Sequence, residues 1–136
     1  MAVEIDVTYE GQLRCRAVHA PSGNVLLTDA PVDNQGKGEA FSPTDMVATA
    51  LGACMLTIMG IVAERHNLDM EGTTVHVVKE MAHQPKRRIG KITLAFRLPE
   101  GHTLGGRDLA KLKRAAEHCP VHASIHPDID LDITFS

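Results

Sequence analysis

Apolar and polar positions alternate from the first residues of the chain. Val3, Ile5, Val7 and Tyr9 stand between Glu4, Asp6, Thr8 and Glu10, the period-two pattern of a strand with unlike faces. Gly11 allows a tight turn into "QLRCRAVH", where Leu13, Cys15 and Ala17 point one way and Arg14, Arg16 and Val18 the other. "APSGN" reads as a turn, "VLLTD" as a third strand, and "APVDNQGKGEAF" as a loop rich in Gly, Pro, Asn and Asp. The pattern then changes, because no charged residue stands between Met46 and Ala63. Ser42 suits an N-cap, Pro43 the first helical position, and Asp45 the reciprocal partner of a capping box. The helix they start runs to about His66, with Asn67 as a stop that tolerates a left-handed backbone. Strands over 73–81 and 89–98 follow, then "GG" at 105–106 and a helix over 107–118 with Leu109, Leu112 and Ala116 in one stripe. The chain closes on the alternating "IDLDITF". The order βββ-α-ββ-α-β predicts one α+β domain over 1–136, with antiparallel sheets around a long buried central helix.

Composition narrows what such a domain can do. The 136 residues are 43% hydrophobic, enough for a core without disulfide staples. Three Phe, one Tyr and no Trp give little to stack on bases, and a net charge of −3 attracts neither nucleic acid nor anionic membranes. The N-terminal "MAVEIDVTYE" is acidic and alternating, unlike an export signal, which points to the cytoplasm and to reduced thiols. The apolar stretch 46–63 is near the length that spans a bilayer. Gly52, Gly60, Thr49 and Thr57 within it, and the lack of flanking aromatic or basic anchors, favour a core helix over a membrane span.

Within that helix stands a thiol, Cys54. It is either a small hydrophobe filling the core or a nucleophile that another part of the fold must ionise. Its own helix N-terminus lies about 18 Å away at 1.5 Å per residue, beyond the reach of the dipole. An arginine is the suitable cation, because it stays charged when desolvated.

"SPTDMVATALGAC", with a second thiol in "CPV" at Cys119, resembles the OsmC/Ohr family of thiol-dependent hydroperoxide reductases over nearly the whole chain. The resemblance implies that Cys54 attacks the O–O bond of an organic hydroperoxide and becomes a sulfenic acid. Cys119 then resolves it as a Cys54–Cys119 disulfide, which a dithiol such as a dihydrolipoyl group reduces. It also implies an intertwined homodimer with active sites at the subunit interface, cover that a helix without a polar face needs, and no bound cofactor or metal. An arginine from the N-terminal strands supplies the positive charge in these reductases. Arg14 and Arg16 are the candidates, with Arg16 preferred on its spacing to the following turn. The acid that these proteins carry directly after the helix-starting Pro is Thr44 here. Asp45, on the helix face opposite Cys54, and Glu39, in the preceding loop, are the remaining carboxylates that could orient the arginine.

Other features point elsewhere. "HCPVHASIH" holds His118, His122 and His126 around Cys119, but Pro120 interrupts the spacing and no C-x-x-C or H-E-x-x-H accompanies it. "HQPKRR" reads as a solvated basic hairpin tip, and Cys15 as packing. The reading in competition with a peroxidase is a non-enzymatic binder of apolar small molecules on the same fold. Thr44 favours that alternative.

Overall fold

Three N-terminal strands form an antiparallel sheet in the order β1 (Ile5–Gly11), β2 (Arg14–His19), β3 (Val25–Asp29). The computed structural model describes residues 1–136. It divides them into two compact units, Met1–Met46 and Val47–Ser136. Gln12 and Leu13 join β1 to β2 with φ of 55° and 63°. Two consecutive left-handed residues match the strand twist of a tight hairpin. Leu13 therefore belongs to the turn and not to the second strand. Cys15 stands opposite Tyr9 and Thr28, and Arg14 opposite Asp29. One sheet face thus carries Ile5, Val7, Tyr9, Cys15, Ala17 and Leu26, and the other Arg14, Arg16, Leu27 and Asp29. After β3 the loop folds back, with Gly38 N–H on the Ala30 carbonyl and Asp29 N–H on that of Phe41. A Cβ at Gly36 would fall 1.7 Å from the Ala30 oxygen, so only glycine fits there.

Helix α1 covers Pro43–Arg65, and the expected caps are present. Ser42 N–H donates to Asp45 Oδ2 at 2.9 Å while Asp45 N–H donates to Ser42 Oγ at 3.1 Å, a reciprocal box. At the other end Asn67 takes φ 54°. Leu68 N–H reaches the Ala63 carbonyl and Asn67 N–H that of Glu64, a Schellman stop.

In the C-terminal unit, Ala48, Leu51, Gly52, Met55, Met59 and Ala63 form the buried stripe of α1. A Cβ on Gly52 would meet Val77 at 3.0 Å and Val75 at 3.2 Å, so its absence lets helix and sheet approach closely. That sheet is β4 (Thr74–Ala82), β5 (Arg88–Arg97) and β6 (Asp130–Phe135), with β5 central. Ile92, Leu94 and Phe96 on β5 are buried, and Phe96 stacks on Phe135 at 4.7 Å. Helix α2 (Gly106–Ala116) and a short α3 (Pro120–Ser124) lie between β5 and β6.

Two expectations need correction in detail. β4 and β5 pair antiparallel, but β6 runs parallel to β5, which the helical crossover between them permits. Helix α3 was not expected, since Pro120 starts a new turn instead of ending the structure. Within the single chain the central helix is buried along one stripe. Val47 and Ile61, on other faces, are 37% and 42% exposed, because the β4-β5-β6 sheet covers one face alone. By length and composition α1 could cross a membrane; here its stripe joins the core.

Candidate active site

Cys54, in the middle of α1, is half-buried, and Cys119 is buried with 1% of its surface exposed. Cys119 holds an extended backbone immediately before Pro120, which makes it the N-cap of α3, and its Sγ accepts the His122 N–H at 3.5 Å. Cys54 packs against the core cluster that contains Cys119 and is the side chain that bears most on its thiol. Burial first, then the neighbouring Cys54 side chain, pushes the Cys119 thiol above its ordinary value, while the His122 N–H acts the other way. Cys119 is therefore suited to remain protonated. All three cysteines are free. Cys15 lies in the N-terminal unit, half-buried on β2.

A second cluster forms within the N-terminal unit. Arg14 donates from Nη2 to Asp29 Oδ2 at 3.3 Å and to Glu39 Oε2 at 3.4 Å. Asp29 is buried, with 1% of its surface exposed, and its Oδ2 also accepts the Glu39 N–H at 3.0 Å. The Glu39 N–H holds the Asp29 carboxyl below its ordinary value; burial opposes this and the Arg14 guanidinium reinforces it. Glu39 and then Asp29 raise the Arg14 guanidinium in turn. Arg16, on the same sheet face, is exposed and stands between Thr8 and Leu27.

The candidate residues thus fall into groups. Cys54 meets Cys119, and Arg14 meets Glu39; Asp45 serves as the helix cap. Sequence reasoning missed Asp29. The signal was there in the β2–β3 hairpin, whose pairing sets Asp29 opposite Arg14, but reading it requires the register of the turn. The histidines near Cys119 have local partners: His118 Nδ1 is 2.8 Å from the Arg114 carbonyl, and His126 sits beside Asp128. No group of three or more His, Cys, Asp or Glu comes together in a way that could hold a metal. A small apolar cavity of about 90 Å³ opens among Met59, Phe96, Leu109, Leu112 and Phe135, and no cysteine lines it.

The chain is an α+β protein with Cys54 on a long helix and Cys119 at the start of a short one. The sequence profile described as OsmC-like protein matches residues 36–134, and the chain belongs to that family. Among solved structures, a Psychrobacter arcticus 273-4 protein provisionally assigned to the osmotic stress induced and detoxification response is 47% identical. The match covers 97% of this chain and 94% of that one, with a TM-score of 0.90. The Legionella pneumophila organic hydroperoxide resistance protein OsmC shares the fold at 17% identity and TM-score 0.78, covering 100% and 97% of the two chains. The organic hydroperoxide resistance protein OhrB of Bacillus subtilis does so at 15% and 0.69, covering 100% and 98%. No match was found among curated proteins.

Proposed function

We propose that this protein reduces organic hydroperoxides, with Cys54 as the peroxidatic thiol and Cys119 as the resolving one. The packing of Cys54 against the buried cluster that holds Cys119 carries the reading. The Cys54 thiolate attacks the distal oxygen of ROOH, the O–O bond breaks, and the departing alkoxide takes a proton to leave as ROH. Sulfur gains the oxygen as Cys54–SOH. The Cys119 thiol then displaces it, forming the disulfide and releasing water. A dithiol of the dihydrolipoyl class returns both cysteines to thiols and is itself oxidised.

A cation must favour the thiolate and the developing alkoxide. Sequence spacing favours Arg16, but the carboxylates around Arg14 move the assignment to Arg14, with Arg16 as the second candidate. The working form is a homodimer in the cytoplasm, with no cofactor and no membrane or nucleic-acid partner. Apolar residues exposed on the N-terminal sheet support the dimer.

Steady-state consumption of cumene hydroperoxide with dihydrolipoamide tests the reading. Cys54→Ser abolishes turnover with the dimer intact. Cys119→Ser consumes one equivalent and stalls. Mass spectrometry of the parent after one turnover finds Cys54 bonded to Cys119. Normal turnover by Cys54→Ser, or Cys15 in the disulfide, overturns the assignment. A parent that binds apolar ligands without turnover is the non-enzymatic alternative.

A further inference from the structure

The small cavity beside β5 has no part in the thiol chemistry. Every residue lining it, from Met59 to Ser136, lies in the C-terminal unit. Its wall is the stacked pair Phe96 and Phe135, closed by Leu109 and Leu112 of α2. Its rim is polar and includes the exposed residues Lys113 and Ser136. The Lys113 Nζ lies 5.5 Å from the centre of the Phe135 ring. Thr73 Oγ1 donates to the Met70 carbonyl at 2.6 Å and Ser136 Oγ to that of Phe96 at 3.5 Å, so both hydroxyl protons are turned to the backbone. The ammonium is then the side-chain donor left for a guest, and no carboxylate stands among the lining side chains to occupy it. A packing fault is sealed and apolar on every side. A rigid aromatic wall, a rim at the surface and one cation are instead the composition of a small-molecule site.

We propose that this cavity binds a short-chain monocarboxylate, with its alkyl tail against Phe96, Phe135 and Leu109 and its carboxylate on the Lys113 ammonium. Volume sets the tail. A cavity of about 90 Å³ is smaller than the roughly 150 Å³ that accepts benzene, so a straight chain of about four carbons enters where a ring does not. Charge sets the head. The Phe135 ring attracts the Lys113 ammonium to the rim, and an anion there meets a cation already in place. The site is separate from the thiols, since no cysteine lines it and binding needs no thiolate. It therefore stands whether or not the protein reduces hydroperoxides.

The test is a titration of the isotope-labelled full chain with sodium carboxylates, read as amide shifts by NMR. Saturable shifts centre on β5, α2 and Phe135. From acetate to pentanoate each added methylene tightens binding about fourfold, and longer chains gain less because the tail has filled the space. Pentanamide keeps the tail without the charge and binds about fivefold more weakly than pentanoate. Lys113→Met removes that difference and leaves the dependence on chain length. Leu109→Ala enlarges the cavity and admits benzoate, which the parent excludes. Should Leu109→Ala not fold, Lys113→Met, a change at an exposed side chain, still decides. Cys54→Ser binds pentanoate as the parent does. The proposal is overturned by the absence of a saturable shift, by an affinity indifferent to chain length, or by a Lys113→Met protein that still prefers pentanoate to pentanamide. Shifts centred on Cys54 and Cys119, or lost in Cys54→Ser, place the ligand at the thiols and overturn it too. None of these results bears on hydroperoxide turnover, which is measured without carboxylate.

Discussion

The Asp29 carboxyl is held below its ordinary value of 3.8 by the Glu39 N–H and the Arg14 guanidinium, so the native state favours its charged form. Its contribution to stability is complete above the unfolded value and is lost as pH falls through the lower native one. Between parent and Asp29→Asn, the difference in urea midpoint is therefore largest above pH 4 and narrows as the solution is acidified below it. A gap that is constant with pH would mean the carboxylate is not the charged form that matters. The sign reverses at Cys119, where burial, then the neighbouring Cys54 side chain, favours the protonated thiol above its ordinary 9.0. Burial remains after Cys54 is oxidised, so disulfide closure quickens with pH through the alkaline range. At pH 7 and high hydroperoxide, overoxidation of Cys54 to sulfinic acid competes with slow closure. Mass spectrometry after a peroxide pulse should find more sulfinic acid at pH 7 than at pH 9. Equal amounts would show that deprotonation of Cys119 does not limit resolution.

At the scale of elements, the β1–β2 hairpin runs through Gln12 and Leu13, neither of which is suited to a left-handed backbone. Leu13 at φ 63° is 44% exposed, so little packing offsets the strain. Leu13→Gly should stabilise the protein by about 1 kcal/mol, read as a higher urea midpoint with unchanged slope. A lower midpoint would mean that the leucine side chain matters more than the turn. How far each element could be read from sequence followed how local its cause was. Ser42, Pro43, Asp45 and Asn67 declared both ends of α1, because caps and stops depend on neighbours a turn away. Helix α3 is too short to show a period, and nothing in "IDLDITF" states that β6 runs parallel to β5. The two candidate thiols were picked out through a resemblance at "LGAC" and "CPV"; Asp29 was not legible, since its meeting with Arg14 is a matter of hairpin register.

For the whole molecule, apolar surface is left uncovered in both compact units. Ile5, Val7, Tyr9 and Leu26 share one face of the N-terminal sheet and are 58%, 64%, 64% and 54% exposed. In the other unit, Val47 and Ile61 are exposed on the helix that carries Cys54. Soluble monomers seldom present contiguous apolar faces of this kind, whereas obligate dimers bury them. A second copy of the chain, which brings the same apolar face, is the expected partner. Val7 is the central residue of its row, flanked by Ile5 and Tyr9 and opposite Ala17. Val7→Lys would place an unpaired ammonium on each side of a two-fold interface, with a cost of a few kcal/mol in association. The parent should sediment as a dimer at micromolar concentration, and Val7→Lys should dissociate at concentrations about a hundredfold higher. Asp6→Lys, on the opposite sheet face, is the matched control, expected to retain the parent dimer. A monomeric parent, or a Val7→Lys protein as dimeric as the control, would remove this face from the assembly.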